Sequence, residues 1–197
     1  MQMIVDHVVT SPSYQCIKEP RCSFCYVEEK KVGYSKYNWI KAIKDLNPES
    51  VATEYSGYNI LWIDSLAQTL NEDVEITITT MPEIINETFL KFLKNRVPQL
   101  EGISLSFNEN TSENWKEKAV MIKKHDISLA CNYLLGCGLK PPIDIQPMGD
   151  SQLIEYDQLN ILSRKPPELP DKEDLKFLIM LMRYLSMSSK MILVEKC

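Results

Sequence analysis

Val74-Glu75-Ile76-Thr77-Ile78-Thr79 alternates polar and β-branched apolar residues with a period of two, which reads as a β-strand. Met81-Pro82 closes it, and the next segment changes period. Phe89, Leu90, Leu93 and Val97 share one face of a helix expected from about Asn86 to Arg96. On the N-terminal side the same unit occurs once more. Ser50 to Glu54 reads as a strand, and Tyr55-Ser56-Gly57-Tyr58-Asn59 as a turn into a helix from about Ile60 to Leu70.

Further out the alternation continues. Met3 to Val9 is a short strand stopped by Thr10-Ser11-Pro12-Ser13. A helix from Ser35 to Leu46 places Trp39, Ile40, Ile43 and Leu46 on one face and ends at Asn47-Pro48. Gly102 to Phe107 is a fourth strand. Ser112 is placed to cap a helix that carries Trp115, Ala119 and Ile122, and Ile127 to Tyr133, extending to Leu135, is a fifth strand. After Pro141-Pro142 the pattern weakens: Ile143 to Tyr156 is irregular, Leu159 to Leu162 is a strand, and Ser163 to Pro170 holds three prolines. Asp171 precedes an apolar helix from Leu175 to Leu185, and Met191 to Val194 is a last short strand.

Strands alternating with helices at this spacing require a parallel sheet. Six or seven units exceed a small flavodoxin-like sheet and fall short of a closed eight-unit barrel. The expectation is an α/β fold, an open partial (β/α)6-type barrel with parallel strands, forming one domain over residues 1–197. Such barrels gather their chemistry at the C-terminal ends of the strands.

Composition narrows the function class. Hydrophobic residues at 44% and charged residues at 25% are ordinary for a globular chain. A formal net charge of −5 and a pI near 5.2 argue against general nucleic-acid binding. No stretch is long and apolar enough to span a bilayer, and the N-terminus lacks the pattern of a signal peptide. A cytoplasmic protein is expected, whose cysteines are metal ligands or buried thiols rather than disulfides.

Three of the six cysteines stand in Cys16-Ile17-Lys18-Glu19-Pro20-Arg21-Cys22-Ser23-Phe24-Cys25-Tyr26, the loop that follows the first strand. Three thiolates at this spacing can converge on one metal centre with a coordination position left open. Taken by themselves they fit zinc, with His7 as a candidate fourth ligand, or an iron–sulfur cluster. Cys131 and Cys137 read as a core thiol and a loop thiol; Cys197 has no reading. Tyr58, Trp62 and Trp39 read as packing residues. Lys18 and Arg21 in the cysteine loop, and Arg164-Lys165 after the sixth strand, read as solvated or as a basic lining for an anionic ligand.

In the place after the first strand of a βα series, this stretch resembles the cluster loop of the radical S-adenosylmethionine superfamily. Its usual pattern is C-x3-C-x-Φ-C with Φ aromatic, and here it is C-x5-C-S-F-C. The resemblance implies that Cys16, Cys22 and Cys25 hold a [4Fe–4S] cluster and that Phe24 packs near the adenine of S-adenosylmethionine. The superfamily's S-G-G-E-P-L turn after strand 2 corresponds to Ser56-Gly57-Tyr58-Asn59-Ile60-Leu61. Ser56, Gly57 and Leu61 keep the pattern, Tyr58 replaces the second glycine, and Asn59 replaces the glutamate. An Asn carbonyl accepts from an ammonium but carries no charge. Thr79 ends the third strand, Ser104 and Ser106 lie on the fourth, and Asn132 and Gly136 end the fifth, where related enzymes contact the cofactor.

The implied activity is reductive cleavage of S-adenosylmethionine to a 5′-deoxyadenosyl radical that abstracts hydrogen from a substrate in the barrel mouth. An anaerobic setting and a ferredoxin- or flavodoxin-like electron donor are implied with it. No catalytic residue is singled out. A protein partner at the open barrel edge is compatible with the apolar helix from Leu175 to Leu185. The alternative from the altered turn is a non-catalytic iron–sulfur scaffold or partner subunit of the same fold.

Overall fold

A computed structural model describes residues 6–10, 36–57, 60–106, 115–135, 158–163 and 192–195. Seven strands form one sheet: β1 (His7–Thr10), β2 (Ser50–Tyr55), β3 (Glu75–Thr80), β4 (Leu100–Ser106), β5 (Ser128–Leu135), β6 (Gln158–Ser163) and β7 (Ile192–Glu195). They lie side by side in chain order, and every neighbouring pair is parallel. Four helices are described: α1 (Lys36–Leu46), α2 (Ile60–Thr69), α3 (Glu87–Arg96) and α4 (Trp115–Lys124). Strictly sequential parallel order is the topology of a (β/α) barrel, here open between β1 and β7.

The segments expected from periodicity agree with these elements to within one or two residues, apart from the first strand. There the expected Met3–Val9 begins outside the described residues, and the strand runs one residue further, to Thr10. The expected cap at Ser112, the helix at Leu175–Leu185 and the segment Ile143–Tyr156 also lie outside them. Met81-Pro82 does more than break β3. Pro82–Ile84 makes one 3-10 turn, closed by the Ile85 N–H on the Pro82 carbonyl.

Local chemistry sets the helix ends. The Asn86 side chain accepts from the Phe89 N–H at 2.9 Å and starts α3. Asn47 after α1 and Asp126 after α4 turn the chain at φ 48° and 57°, left-handed conformations that Asn and Asp adopt more readily than most residues. Arg96 near the end of α3 grips Asp64 of α2 with two bonds, Nε to Oδ1 at 2.8 Å and Nη2 to Oδ2 at 3.1 Å. That carboxylate raises the guanidinium pKa above its usual value, by hydrogen bonding first and by charge second.

The core lies between the sheet and the helices. Val51, Ile76, Ile78, Ile103, Leu105 and Leu129 from the strands meet Ile63 and Leu66 of α2, Leu90 and Leu93 of α3, and Ile122 of α4. The α1 face departs from expectation. Ile40 and Ile43 are buried, but Trp39 is 43% exposed and Leu46 39% exposed. Trp39 sits about 100° around the helix from Ile40, and the buried stripe is only wide enough for the Ile40–Ile43 line.

Candidate functional site

Two contacts identify which face of the sheet is which. The Trp62 indole N–H of α2 donates to the Thr53 hydroxyl at 2.9 Å, and the Tyr55 ring stacks on Phe89 of α3 with centroids 5.1 Å apart. Thr53 and Tyr55 therefore face the helices. Side chains alternate along a strand, so Ala52 and Glu54 face the concave interior. Burial keeps the Tyr55 phenol neutral beyond its ordinary range, pushing its pKa up.

Register carries this assignment across the sheet, because partners in a parallel ladder share a face. Ala52, Thr77, Gly102 and Ser128 form one inner layer. A β-carbon on Gly102 would lie 3.0 Å from the Ser128 carbonyl oxygen, closer than side chains normally pack, so this layer is narrow there. Glu54, Thr79, Ser104 and Ala130 form the next layer toward the C-terminal rim. Ser106, Asn132 and Asn160 share a register row above that. The bulge between Ile76 and Thr77, where the register to β4 skips Glu101, is what brings Gly102 and Ser104 into these rows.

The polar residues of the inner wall are joined. Ser104 donates to Asn132 Oδ1 at 2.9 Å, and Asn132 Nδ2 donates to the Ser106 hydroxyl at 3.1 Å. Ser104 and Asn132 are buried, and Ser106 is half-buried at the end of β4. Asn132 lies within β5, which continues to Leu135, rather than at the strand's end as expected. Its side chain thus forms part of the wall, bridging β4 and β5.

The turn after β2 is built from the strand ends. The Thr80 hydroxyl donates to the Tyr55 carbonyl at 2.7 Å and ties β3 to β2 at the rim. Ser56 is buried, and Gly57 follows with φ 94°, a backbone conformation that residues with a β-carbon rarely adopt. Tyr58 and Asn59, like Cys16, Cys22, Phe24 and Cys25, lie outside the described residues. Leu61 is 65% exposed on the first turn of α2.

Of the expected cofactor-contacting residues, Thr79, Ser104, Ser106 and Asn132 therefore come together on the inner wall, with Ser56 and Gly57 on the rim above. Sequence reading passed over Glu54. A signal for it existed: an acidic residue near the C-terminal end of an interior parallel strand is out of keeping with the apolar composition of such strands.

Both histidines sit away from this rim. His7 opens β1 at the N-terminal edge, where its Nδ1 lies 2.7 Å from the Ser50 hydroxyl. His125 follows α4 and precedes β5 at the same edge, with Nε2 3.1 Å from Glu87. The chain enters the cysteine stretch from Thr10, at the opposite end of β1. His7 thus begins the strand rather than ending it beside that stretch. Among the described residues no group of three His, Cys, Asp or Glu side chains is placed to hold a metal ion. A cavity of about 350 Å3 lies at the N-terminal edge, lined by Asn47, Pro48, Glu49, Ser50 and Asp73 to Glu75. It is at the wrong end of the strands for barrel chemistry. No described helix is long and apolar enough to cross a membrane.

No protein-family model and no curated protein matches the sequence. Among solved structures, methylornithine synthase (PylB) superposes with a TM-score of 0.59 at 15% identity, over 97% of this chain and 65% of that one. The chain thus spans about two thirds of that protein's length. Two mutant tryptophan synthase α-subunits from Pyrococcus furiosus give TM-scores of 0.48 and 0.49 at 12% and 10% identity. They are matched over 98% of this chain and 79% and 77% of theirs. The likeness to methylornithine synthase and the sequential parallel sheet establish the fold: an open partial (β/α) barrel whose inner wall is polar toward the C-terminal rim.

Proposed function

We propose that the protein is a radical S-adenosylmethionine enzyme, a single domain that acts on a substrate bound in the barrel mouth. The observation that carries this reading is the place of the cysteine stretch. Cys16, Cys22 and Cys25 follow β1 in sequence, and the chain leaves β1 at Thr10, at the C-terminal end of a parallel strand. The fold likeness to methylornithine synthase supports the reading at the level of architecture.

The donor set of the inner wall fits the cofactor. S-adenosylmethionine presents a charged amino-acid end and a hydroxylated, nitrogen-rich nucleoside end. Glu54, Thr79, Ser104, Ser106 and Asn132 offer one carboxylate, three hydroxyls and one carboxamide on one concave face. In this reading Cys16, Cys22 and Cys25 hold the [4Fe–4S] cluster and Phe24 packs at the adenine. Ser56, Gly57, Tyr58 and Asn59 receive the methionine end. The bound cluster and cofactor supply one-electron reductive cleavage of the sulfonium and hydrogen abstraction from substrate. The chain's own residues fix the ligand's orientation and exclude water. The rigid Ser104–Asn132–Ser106 link lets the wall do so without rearranging. The electron would come from a ferredoxin- or flavodoxin-like donor.

A second reading, a non-catalytic iron–sulfur scaffold of the same fold, is favoured by one specific feature, the neutral Asn59 in the turn after β2.

Anaerobic reconstitution with iron and sulfide tests the proposal. The expected protein binds a [4Fe–4S] cluster, loses it when Cys16, Cys22 and Cys25 are replaced by Ala, and releases 5′-deoxyadenosine on reduction with S-adenosylmethionine. A cluster that forms but never yields 5′-deoxyadenosine favours the scaffold. Failure to bind iron, with tight binding of zinc, defeats both readings.

A further inference from the structure

We infer that Asn132 is a positioning residue, which fixes the Ser106 hydroxyl as a hydrogen-bond donor to the barrel mouth. The ligand then places an acceptor at the C-terminal end of β4, either a carboxylate oxygen or a nucleoside nitrogen. The inference rests on the reading of that ligand as S-adenosylmethionine.

The direction of the hydrogen-bond chain follows from burial. Asn132 joins two hydroxyls, with Oδ1 2.9 Å from Ser104 and Nδ2 3.1 Å from Ser106. A carboxamide has one accepting end and one donating end, and turning it over exchanges their roles. Ser104 sets the orientation. It is 3% exposed, and among the described residues its hydroxyl makes no side-chain hydrogen bond except the one to Asn132. With Nδ2 beside it, that hydroxyl would accept, and its own proton would be stranded inside the wall away from water. Oδ1 therefore faces Ser104, and Nδ2 is left to Ser106.

Ser106 is the outlet of the chain. Its hydroxyl accepts from Nδ2, so its proton points elsewhere. It is half-buried at the last position of β4, on the inner face, and its proton has no acceptor among the described residues. The hydroxyl keeps a second lone pair, but unmatched acceptors are tolerated better than unmatched donors. The chain thus runs one way, from buried Ser104 through Asn132 to Ser106, and each bond polarises the next. An acceptor on the ligand completes it.

The test is equilibrium binding to the full-length, cluster-reconstituted protein under anaerobic conditions, with iron content and circular dichroism checked for every variant. The probes are S-adenosylmethionine, decarboxylated S-adenosylmethionine, which lacks the carboxylate, and 5′-methylthioadenosine, which lacks the amino-acid arm and the sulfonium charge. Ser106→Ala is expected to weaken S-adenosylmethionine binding by roughly 10-fold to 100-fold for a carboxylate acceptor and by roughly 2-fold to 10-fold for a neutral nitrogen. Ser106→Thr, which keeps the hydroxyl, is expected to retain binding. Loss confined to S-adenosylmethionine identifies the carboxylate as the acceptor, and a smaller loss shared by all three probes identifies a nucleoside nitrogen.

Asn132→Asp separates positioning from support. Its carboxylate still accepts from Ser104 but accepts from Ser106 as well, which turns the Ser106 proton away from the mouth. It is expected to weaken S-adenosylmethionine binding about as much as Ser106→Ala does, and to add no further loss in the Ser106→Ala background. Undiminished S-adenosylmethionine binding by Ser106→Ala overturns the inference. So does an Asn132→Asp loss that persists in full beside Ser106→Ala, which marks the added charge or a displaced wall. If the wild-type protein carries a full cluster yet binds none of the probes, the proposed function itself fails, and this inference with it.

Discussion

Ser104 and Asn132, 28 residues apart in sequence, are joined by a buried 2.9 Å hydrogen bond across β4 and β5. The bond closes the inner wall of the sheet, and the second bond, to Ser106, extends it to the end of β4. Polar groups buried this deeply hold their shape only when each is partnered.

Asn132→Ala removes that partner and strands the Ser104 hydroxyl. The unfolding free energy is expected to fall by about 1–3 kcal/mol, the cost of a buried polar group left unpaired. Adding Ser104→Ala to Asn132→Ala should recover part of the loss, since the buried Ser104 hydroxyl is then no longer left without its acceptor. Urea titrations of both single variants and the double variant check this. Strict additivity of the two substitutions would contradict the role given to the bond.

The Trp62–Thr53 bond anchors α2 on β2. Thr53→Val keeps the side-chain shape but leaves the indole N–H buried without its acceptor, at an expected cost of about 1–3 kcal/mol. Trp62→Ala empties a core position as well and is expected to cost about 3–5 kcal/mol. Thermal melts of the two variants should rank in that order, and the reverse order would place the indole outside the core.

Gly57 takes φ 94° at the turn over the mouth. Gly57→Ala is expected to lower stability by about 1–2 kcal/mol, the penalty a β-carbon brings to a left-handed conformation. The same change should weaken S-adenosylmethionine binding in the reconstituted protein. Differential scanning calorimetry together with equilibrium dialysis separates the two effects.

Tyr55 gives an alkaline signature. Burial raises its pKa in the folded protein above the unfolded value near 10. A raised acid pKa means that the unfolded chain loses its proton first. The contribution to stability is therefore complete below about pH 10 and is lost as pH climbs toward the folded pKa. Tyr55→Phe should remove that part of the alkaline slope. The measurement is the difference in unfolding free energy between the wild type and the variant at pH 9 and at pH 11, and an unchanged difference would show that the phenol is solvated.

Most of the fold was legible in local sequence. Ile76 and Ile78 alternate with threonines at the strand period, Phe89, Leu90 and Leu93 recur at the helix period, and α3 starts next to Asn86, within a residue of where the helix was expected. These signals are short-ranged, so they survive without knowledge of neighbours. Trp39 was misplaced because periodicity shows that a helix has an apolar face but not how wide a stripe the sheet beneath it covers. The polar wall was only partly legible. Thr79, Ser104, Ser106 and Asn132 were reached through the resemblance, by their places on the third to fifth strands, whereas Glu54 was passed over.

By itself, the sequence determined the order of strands and helices and the position of three cysteines after the first strand, because spacing and period are properties of the chain. Only the tertiary structure decided which side of each strand is the inside. Alternation sorts Thr53 from Glu54 without saying which one faces the helices, and in a parallel sheet both faces carry apolar residues. The Trp62–Thr53 contact resolves that choice for β2, and the ladder registers pass it to β3, β4 and β5. Glu54 is turned into the mouth, and His7 and His125 are set at the far edge, by these long-range pairings, which no local pattern encodes.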